Sequence, residues 1–132
     1  MSTLDGTSGE DTILSGNGTD IIDAGAGDDY VDGGNGADSI DGGEGNDELL
    51  GGRGDDTIDG GSGIDTVSGG NGDDLLIYIS EENIHDVVTR TDIYDGGSGY
   101  DTLKLVITQS LANDPTFINE LAQLQALLGT KS

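Results

Sequence analysis

From Gly6 to Ile77 the chain repeats every nine residues without a break. The units are GTSGEDTIL, SGNGTDIID, AGAGDDYVD, GGNGADSID, GGEGNDELL, GGRGDDTID, GGSGIDTVS and GGNGDDLLI. Position four is always glycine: Gly9, Gly18, Gly27, Gly36, Gly45, Gly54, Gly63 and Gly72. Position six is always aspartate: Asp11, Asp20, Asp29, Asp38, Asp47, Asp56, Asp65 and Asp74. Position eight is always aliphatic: Ile13, Ile22, Val31, Ile40, Leu49, Ile58, Val67 and Leu76. A short fixed period restricts a chain to a stack of like elements, each contacting its neighbours. A further good unit, GGSGYDTLK, starts at Gly96, and the stretch between, 78–95, is two units long and keeps the frame. Asn83 and Asp92 fall at position six of these two degenerate units.

The pattern GGxGxDxUx, with U aliphatic, resembles the calcium-binding nonapeptide of RTX (repeats-in-toxin) proteins, and the resemblance runs from Gly6 to Lys104. It implies an all-β fold, a right-handed parallel β-roll (a β-solenoid). Each GGxGxD is then a turn, each xUx a short strand, and two nonapeptides make one coil.

Elementary geometry agrees with that expectation. Glycines at positions one, two and four permit positive φ, so the chain reverses tightly and is expected to turn its carbonyls inward. Three residues remain for a strand, and alternation points only the middle one, position eight, into the core. Residues two units apart stack in adjacent coils about 4.8 Å apart. Asp11, Asp29, Asp47 and Asp65 then form one column, and Asp20, Asp38, Asp56 and Asp74 a second. Carboxylates about 5 Å apart repel by about 1 kcal/mol in water and several times that near a protein surface.

Composition points the same way. Twenty-seven acidic residues face four basic ones, for a formal net charge of -23, and only 32% of residues are hydrophobic. Such a chain stays disordered unless something offsets its charge. It repels nucleic acid and anionic membranes and attracts cations. There is no cysteine, so no thiolate metal site and no disulfide frame. The start, MSTLDG, has none of the regions of a secretory signal peptide, and no apolar run is long enough to span a membrane.

A divalent cation between neighbouring turns reverses the repulsion. The expected ligands are all oxygen, which suits Ca²⁺ better than Mg²⁺, and Zn²⁺ less still. They are the carboxylates of Asp11, Asp20, Asp29, Asp38, Asp47, Asp56, Asp65, Asp74, Asp92 and Asp101. To these are added the backbone carbonyls of Gly16, Gly18, Gly25, Gly27, Gly34, Gly36, Gly43, Gly45, Gly52, Gly54, Gly61, Gly63, Gly70 and Gly72. Four turns on each side leave three gaps, so about six Ca²⁺ sites are expected. An extension pairing Asp74 with Asp92 is preferred to pairs of Asn83 with Asp101 or Asp65, because Asn83 is neutral and its loop has no glycine.

Other features take plainer readings. Asp28, Asp55 and Asp73 at position five are read as solvated turn residues, and Asp23, Asp32, Asp41 and Asp59 at position nine as outward strand carboxylates. His85, at an inward position, is read as an irregularity and not a ligand or base, and Arg53 as a solvated turn residue. Thr7, Ser15 and Ala24 replace glycines, which marks the first turn as the one to be frayed or weakly loaded.

The chain thus divides into a leader (1–5), eight tandem units (6–77), two degenerate repeats or an insertion (78–95), a further unit (96–104) and a C-terminal strand and helix (105–132). The in-frame length of 78–95 favours two distorted coils over a bulging loop. Asp114 and Pro115 read as a helix start, Phe117, Leu121, Leu124 and Leu128 as one apolar stripe, and Gly129 as the stop. That helix is expected to cap the open end of the roll or to meet a further domain of a longer parent chain.

No catalytic constellation is present, so the chain reads as a calcium-binding module and not an enzyme. It is expected to fold when Ca²⁺ fills the sites. The resemblance further implies export by type I secretion machinery from a Gram-negative bacterium and folding outside the cell, without membrane insertion or nucleic-acid binding. The alternative is a polysaccharide- or surface-binding module of an adhesin or epimerase-type extracellular protein. Against it, the repeat offers only Tyr30 as a stacking aromatic.

Overall fold

The computed structural model describes residues 1–79 and 92–106. The helix expected over 114–128, and its role as a cap, lie outside the described residues, as does His85. All elements described are strands: β1 (Thr3–Thr7), β2 (Thr12–Leu14), β3 (Ile21–Gly25), β4 (Tyr30–Asp32), β5 (Ser39–Asp41), β6 (Glu48–Arg53), β7 (Thr57–Asp59), β8 (Thr66–Asn71), β9 (Leu75–Ile79), β10 (Ile93–Ser98) and β11 (Thr102–Val106). Alternate strands go to opposite sheets. One sheet runs β1-β3-β5-β7-β9-β11 and the other β10-β8-β6-β4-β2. Every pairing is parallel. This is a parallel β-solenoid of about 4 turns.

Through the tandem units each strand pairs with the strand two repeats on: Ile22 with Ile40, Ile40 with Ile58, and Ile58 with Leu76. Position eight is therefore inward throughout. Ile22, Val31, Ile40, Leu49, Ile58, Val67 and Leu76 are buried between the two sheets, and Leu4, Ile13 and Tyr94 pack against them. Burying each such aliphatic side chain stabilises by about 1.5–3 kcal/mol. A single file of them is a thin core, and the backbone ladder carries the rest. Leu4 stands one period before Ile13. The residues read as a leader supply β1, which pairs with β3.

The glycines divide into two classes. Positions two and four have positive φ from Gly16 onwards, for example +90° at Gly34 and +136° at Gly36. Position one does not, which corrects the expectation of positive φ there. Its need is for space: a Cβ on Gly33 would lie 2.7 Å from the Gly51 carbonyl oxygen and 2.8 Å from Asp38 Oδ2. Positions two and four are also crowded by the main chain of the preceding coil. A Cβ on Gly34 would stand 2.1 Å from Gly16 O, and one on Gly36 2.0 Å from Gly18 O.

The region 78–95 is corrected more substantially. Ile93 pairs with Thr66, and Thr102 with Leu75. Both spacings are three repeats instead of two, so the two degenerate units do not add one regular coil. One nonapeptide more than a coil uses lies between the paired strands. The three-repeat register puts Asp92 and Tyr94 in the columns, where a two-repeat register would put Asn83 and His85. Tyr94 then fills the inward place, donates its hydroxyl to Ile77 O at 3.3 Å, and meets Tyr78 edge-on at 5.7 Å.

Candidate metal centre

Position six closes each turn just before its strand begins. There the main chain of one coil meets the carboxylate of the next. The N–H of Asp20 donates to Asp38 Oδ1 at 2.8 Å, Asp38 to Asp56 at 2.7 Å and Asp56 to Asp74 at 2.9 Å. In the other column Asp11 donates to Asp29 at 2.7 Å, Asp29 to Asp47 at 2.8 Å and Asp47 to Asp65 at 3.0 Å. The expected pairing of Asp74 with Asp92 is replaced. Asp65 N–H donates to Asp92 Oδ1 and Asp74 N–H to Asp101 Oδ1, each at 3.1 Å. Asp92 therefore extends the column opposite to the one expected, and Asp101 the other.

Seven aspartates from Asp20 to Asp74 are buried, each at most 3% exposed. Their Oδ1 atoms accept the N–H bonds just described (Ser2 N–H serves Asp20 at 2.6 Å), but all seven Oδ2 atoms are buried with no hydrogen-bond partner. A buried carboxylate oxygen without a donor is costly. The electrostatics show that cost. Burial first, and then neighbouring carboxylates, push Asp47 and Asp56 up to about 6 and Asp65 up to about 7, although a backbone N–H pulls each back. Asp38 and Asp74 are raised by the same causes. Asp20 goes the other way. Burial works against its ionisation, but hydrogen bonds from Ser2 and the amino terminus 3.8 Å away outweigh that and hold its carboxyl below the usual range.

The first turn is built differently. Gly9 has no positive φ, and Asp11 Oδ2 accepts hydrogen bonds from its own loop, from Thr7 N–H at 2.6 Å and Thr7 Oγ1 at 2.8 Å. Asp11 is only half-buried.

The predicted carbonyls separate into two groups. Those of position two are engaged, as when Asn35 N–H donates to Gly16 O and Arg53 N–H to Gly34 O, both at 2.8 Å. Among the described residues, the position-four carbonyls of Gly18, Gly27, Gly36, Gly45, Gly54, Gly63 and Gly72 take none of these turn bonds. No group of three or more His, Asp or Glu side chains converges among the described residues. The donor set is thus paired carboxylates and backbone oxygen, which fits a hard divalent cation and not zinc.

The acidic residues outside position six have roles that their sequence reading missed. Asp28 accepts Asn46 N–H at 2.8 Å, Asp55 accepts Asp73 N–H at 2.9 Å, and Asp73 accepts Tyr100 N–H at 2.9 Å. Position five therefore forms its own ladder between coils, and its signal was the recurrence of Asp or Asn two units apart. At position nine Asp59 and Asp95 accept the N–H of Gly61 and Gly97, two residues on. Arg53 is exposed, as expected. A groove of about 620 Å³ follows one column, with Glu10, Asp28 and Glu48 on its walls.

The family model of the RTX calcium-binding nonapeptide repeat matches four times, over residues 5–40, 32–67, 41–76 and 91–103. The chain belongs to the RTX repeat family. No curated protein and no solved structure matches the chain. RTX repeats are structural calcium-binding modules, and RTX repeat proteins are typically secreted. The family matches stop at residue 76 and resume at 91, on either side of the stretch where the register jumps. Among the described residues, no helix is long and apolar enough to cross a membrane.

Proposed function

We propose that this RTX chain is a calcium-driven folding module. The position-six carboxylates hold Ca²⁺ between successive turns, assisted by the position-four carbonyls, which the turn bonds leave open. The observation that carries this reading is the file of seven buried Oδ2 atoms without a hydrogen-bond partner. A bound divalent cation supplies the positive charge these oxygens need. Consecutive position-six residues give four pairs in each column: Asp11/Asp29, Asp29/Asp47, Asp47/Asp65 and Asp65/Asp92, then Asp20/Asp38, Asp38/Asp56, Asp56/Asp74 and Asp74/Asp101. The pair containing Asp11 is the weakest, because Thr7 already serves that carboxylate.

Without calcium, the charge of -23 opposes the stacked state and the thin core does not overcome it. With calcium, binding free energy becomes folding free energy. This behaviour suits a chain exported unfolded through type I secretion machinery from a calcium-poor cytoplasm of a Gram-negative bacterium. The roll then forms at extracellular calcium and supports the folding of a longer parent protein. Calcium is its partner, and no catalytic role is assigned to it.

The test is circular dichroism of chelator-stripped protein during calcium titration, with magnesium as control. A cooperative gain of β-signal with calcium alone is expected. An equal β-signal in chelator and in calcium overturns the folding switch.

A further inference from the structure

Asn17, Asn35 and Asn71 all stand at position three, each followed by a position-four glycine, Gly18, Gly36 or Gly72. All three asparagines are exposed. In an Asn-Gly pair the glycine nitrogen has no neighbouring Cβ to shield it from the preceding side chain. That nitrogen can bond to the asparagine Cγ. The Cγ–Nδ2 bond then breaks, and Nδ2 leaves as ammonia with the proton lost by the glycine nitrogen. The cyclic imide takes up one water and opens at either carbonyl, to aspartate or isoaspartate. Water enters, ammonia leaves, and no oxidant or reductant is involved.

In the roll the attacking nitrogens are engaged. Gly18 N–H donates to Asn35 O at 2.6 Å, Gly36 N–H to Arg53 O at 2.7 Å, and Gly72 N–H to Ser98 O at 2.9 Å. Every acceptor is on the next coil, so each N–H is held along the stack. The amide of Asn35 is also held, donating Nδ2 to Asn17 Oδ1 at 2.7 Å. We propose that these three Asn-Gly pairs are deamidation sites that the folded roll protects, so that the unfolded chain carries a chemical clock. Isoaspartate adds one carbon to the main chain, in turns where even a Cβ on Gly36 would stand 2.0 Å from Gly18 O. A turn so lengthened no longer stacks at the coil spacing, and an aged chain loses its route to the roll.

The protection depends only on the fold; the role of calcium in setting the clock rests on the function proposed above. The test incubates the protein in calcium, in chelator, and in guanidinium chloride. Peptide mass spectrometry reads isoaspartate and the mass gain at each asparagine, and circular dichroism reads the fold of each sample. Asn46, followed by Asp47, is the internal control. Deamidation is expected to be slower in the folded sample than in guanidinium, by about tenfold for each 1.4 kcal/mol of stability. Equal rates in those two samples overturn the protection. If the chelated chain is already folded and equally slow, the calcium switch fails while the protection stands. The variant N17Q/N35Q/N71Q, aged in chelator, is expected to regain its β-signal on adding calcium where the wild type does not. Full recovery by a deamidated wild type overturns the clock.

Discussion

Gly9 and Gly36 occupy the same place in the repeat, yet alanine should act on them with opposite sign. At Gly36 φ is +136°, and the new Cβ would meet the backbone carbonyl of Gly18 at 2.0 Å. Holding a residue other than glycine at positive φ costs about 1–3 kcal/mol. Relieving a collision with a rigid main-chain atom costs about 1–3 kcal/mol more, so Gly36→Ala should lose about 2–6 kcal/mol. At Gly9 φ is not in the positive region and a Cβ would have nothing within 4 Å. Gly9→Ala should therefore stabilise by about 0.4–1 kcal/mol, by restricting the unfolded chain. Urea unfolding in saturating calcium, followed by circular dichroism, measures both. Each kcal/mol corresponds to about 4–8 °C in Tm for a folded unit of this size, so a thermal scan gives an independent reading. Similar losses at both positions would refute the steric reasoning and place Gly9 in the same turn geometry as the rest.

Three further outcomes are expected. In chelator, acid should substitute for calcium. The folded-state values of about 6 for Asp47 and Asp56 and about 7 for Asp65 lie above the ordinary value of 3.8, so this stabilisation is complete below 3.8 and lost as pH rises through 6 to 7; β-signal in chelator at about pH 4 and none at about pH 8 is the expected circular dichroism result. Alanine at Asp65 and Asp92 should show a coupling of more than about 0.5 kcal/mol in a double-mutant cycle, whereas Asp74 and Asp92 should be additive; the reverse result restores the two-repeat register. Leu49→Ala should cost about 2–5 kcal/mol, and Leu103→Ala, at the same repeat position but 59% exposed, under about 1 kcal/mol, both read by urea unfolding.

The sequence makes the coil, the inward aliphatic file and the two aspartate columns legible, because all three follow from a nine-residue period and the alternation of a strand. It does not settle the register beyond Ile77. Spacings of two and of three repeats both preserve position within the unit, so arithmetic alone leaves Asp92 free to join either column. What decides is the choice of inward side chain, Tyr94 or His85, and that depends on packing. The first turn was legible as irregular through Thr7. The hydrogen bonds of Thr7 to Asp11, which explain the different geometry, depend on the turn's actual path. Position-one glycines meet a requirement for empty space, and that requirement and one for positive φ leave the same letter in a sequence.

The extra nonapeptide between β8 and β10 has a consequence for how such chains lengthen. A coil consumes two units, so gaining a pair adds one full coil and leaves every later residue on its original side. Gaining a single unit sends everything after it to the opposite sheet, unless the chain sets one nonapeptide aside, as it does here. Here the described strands pair three units apart at this step, so the number of repeats encoded exceeds the number paired in the ladders.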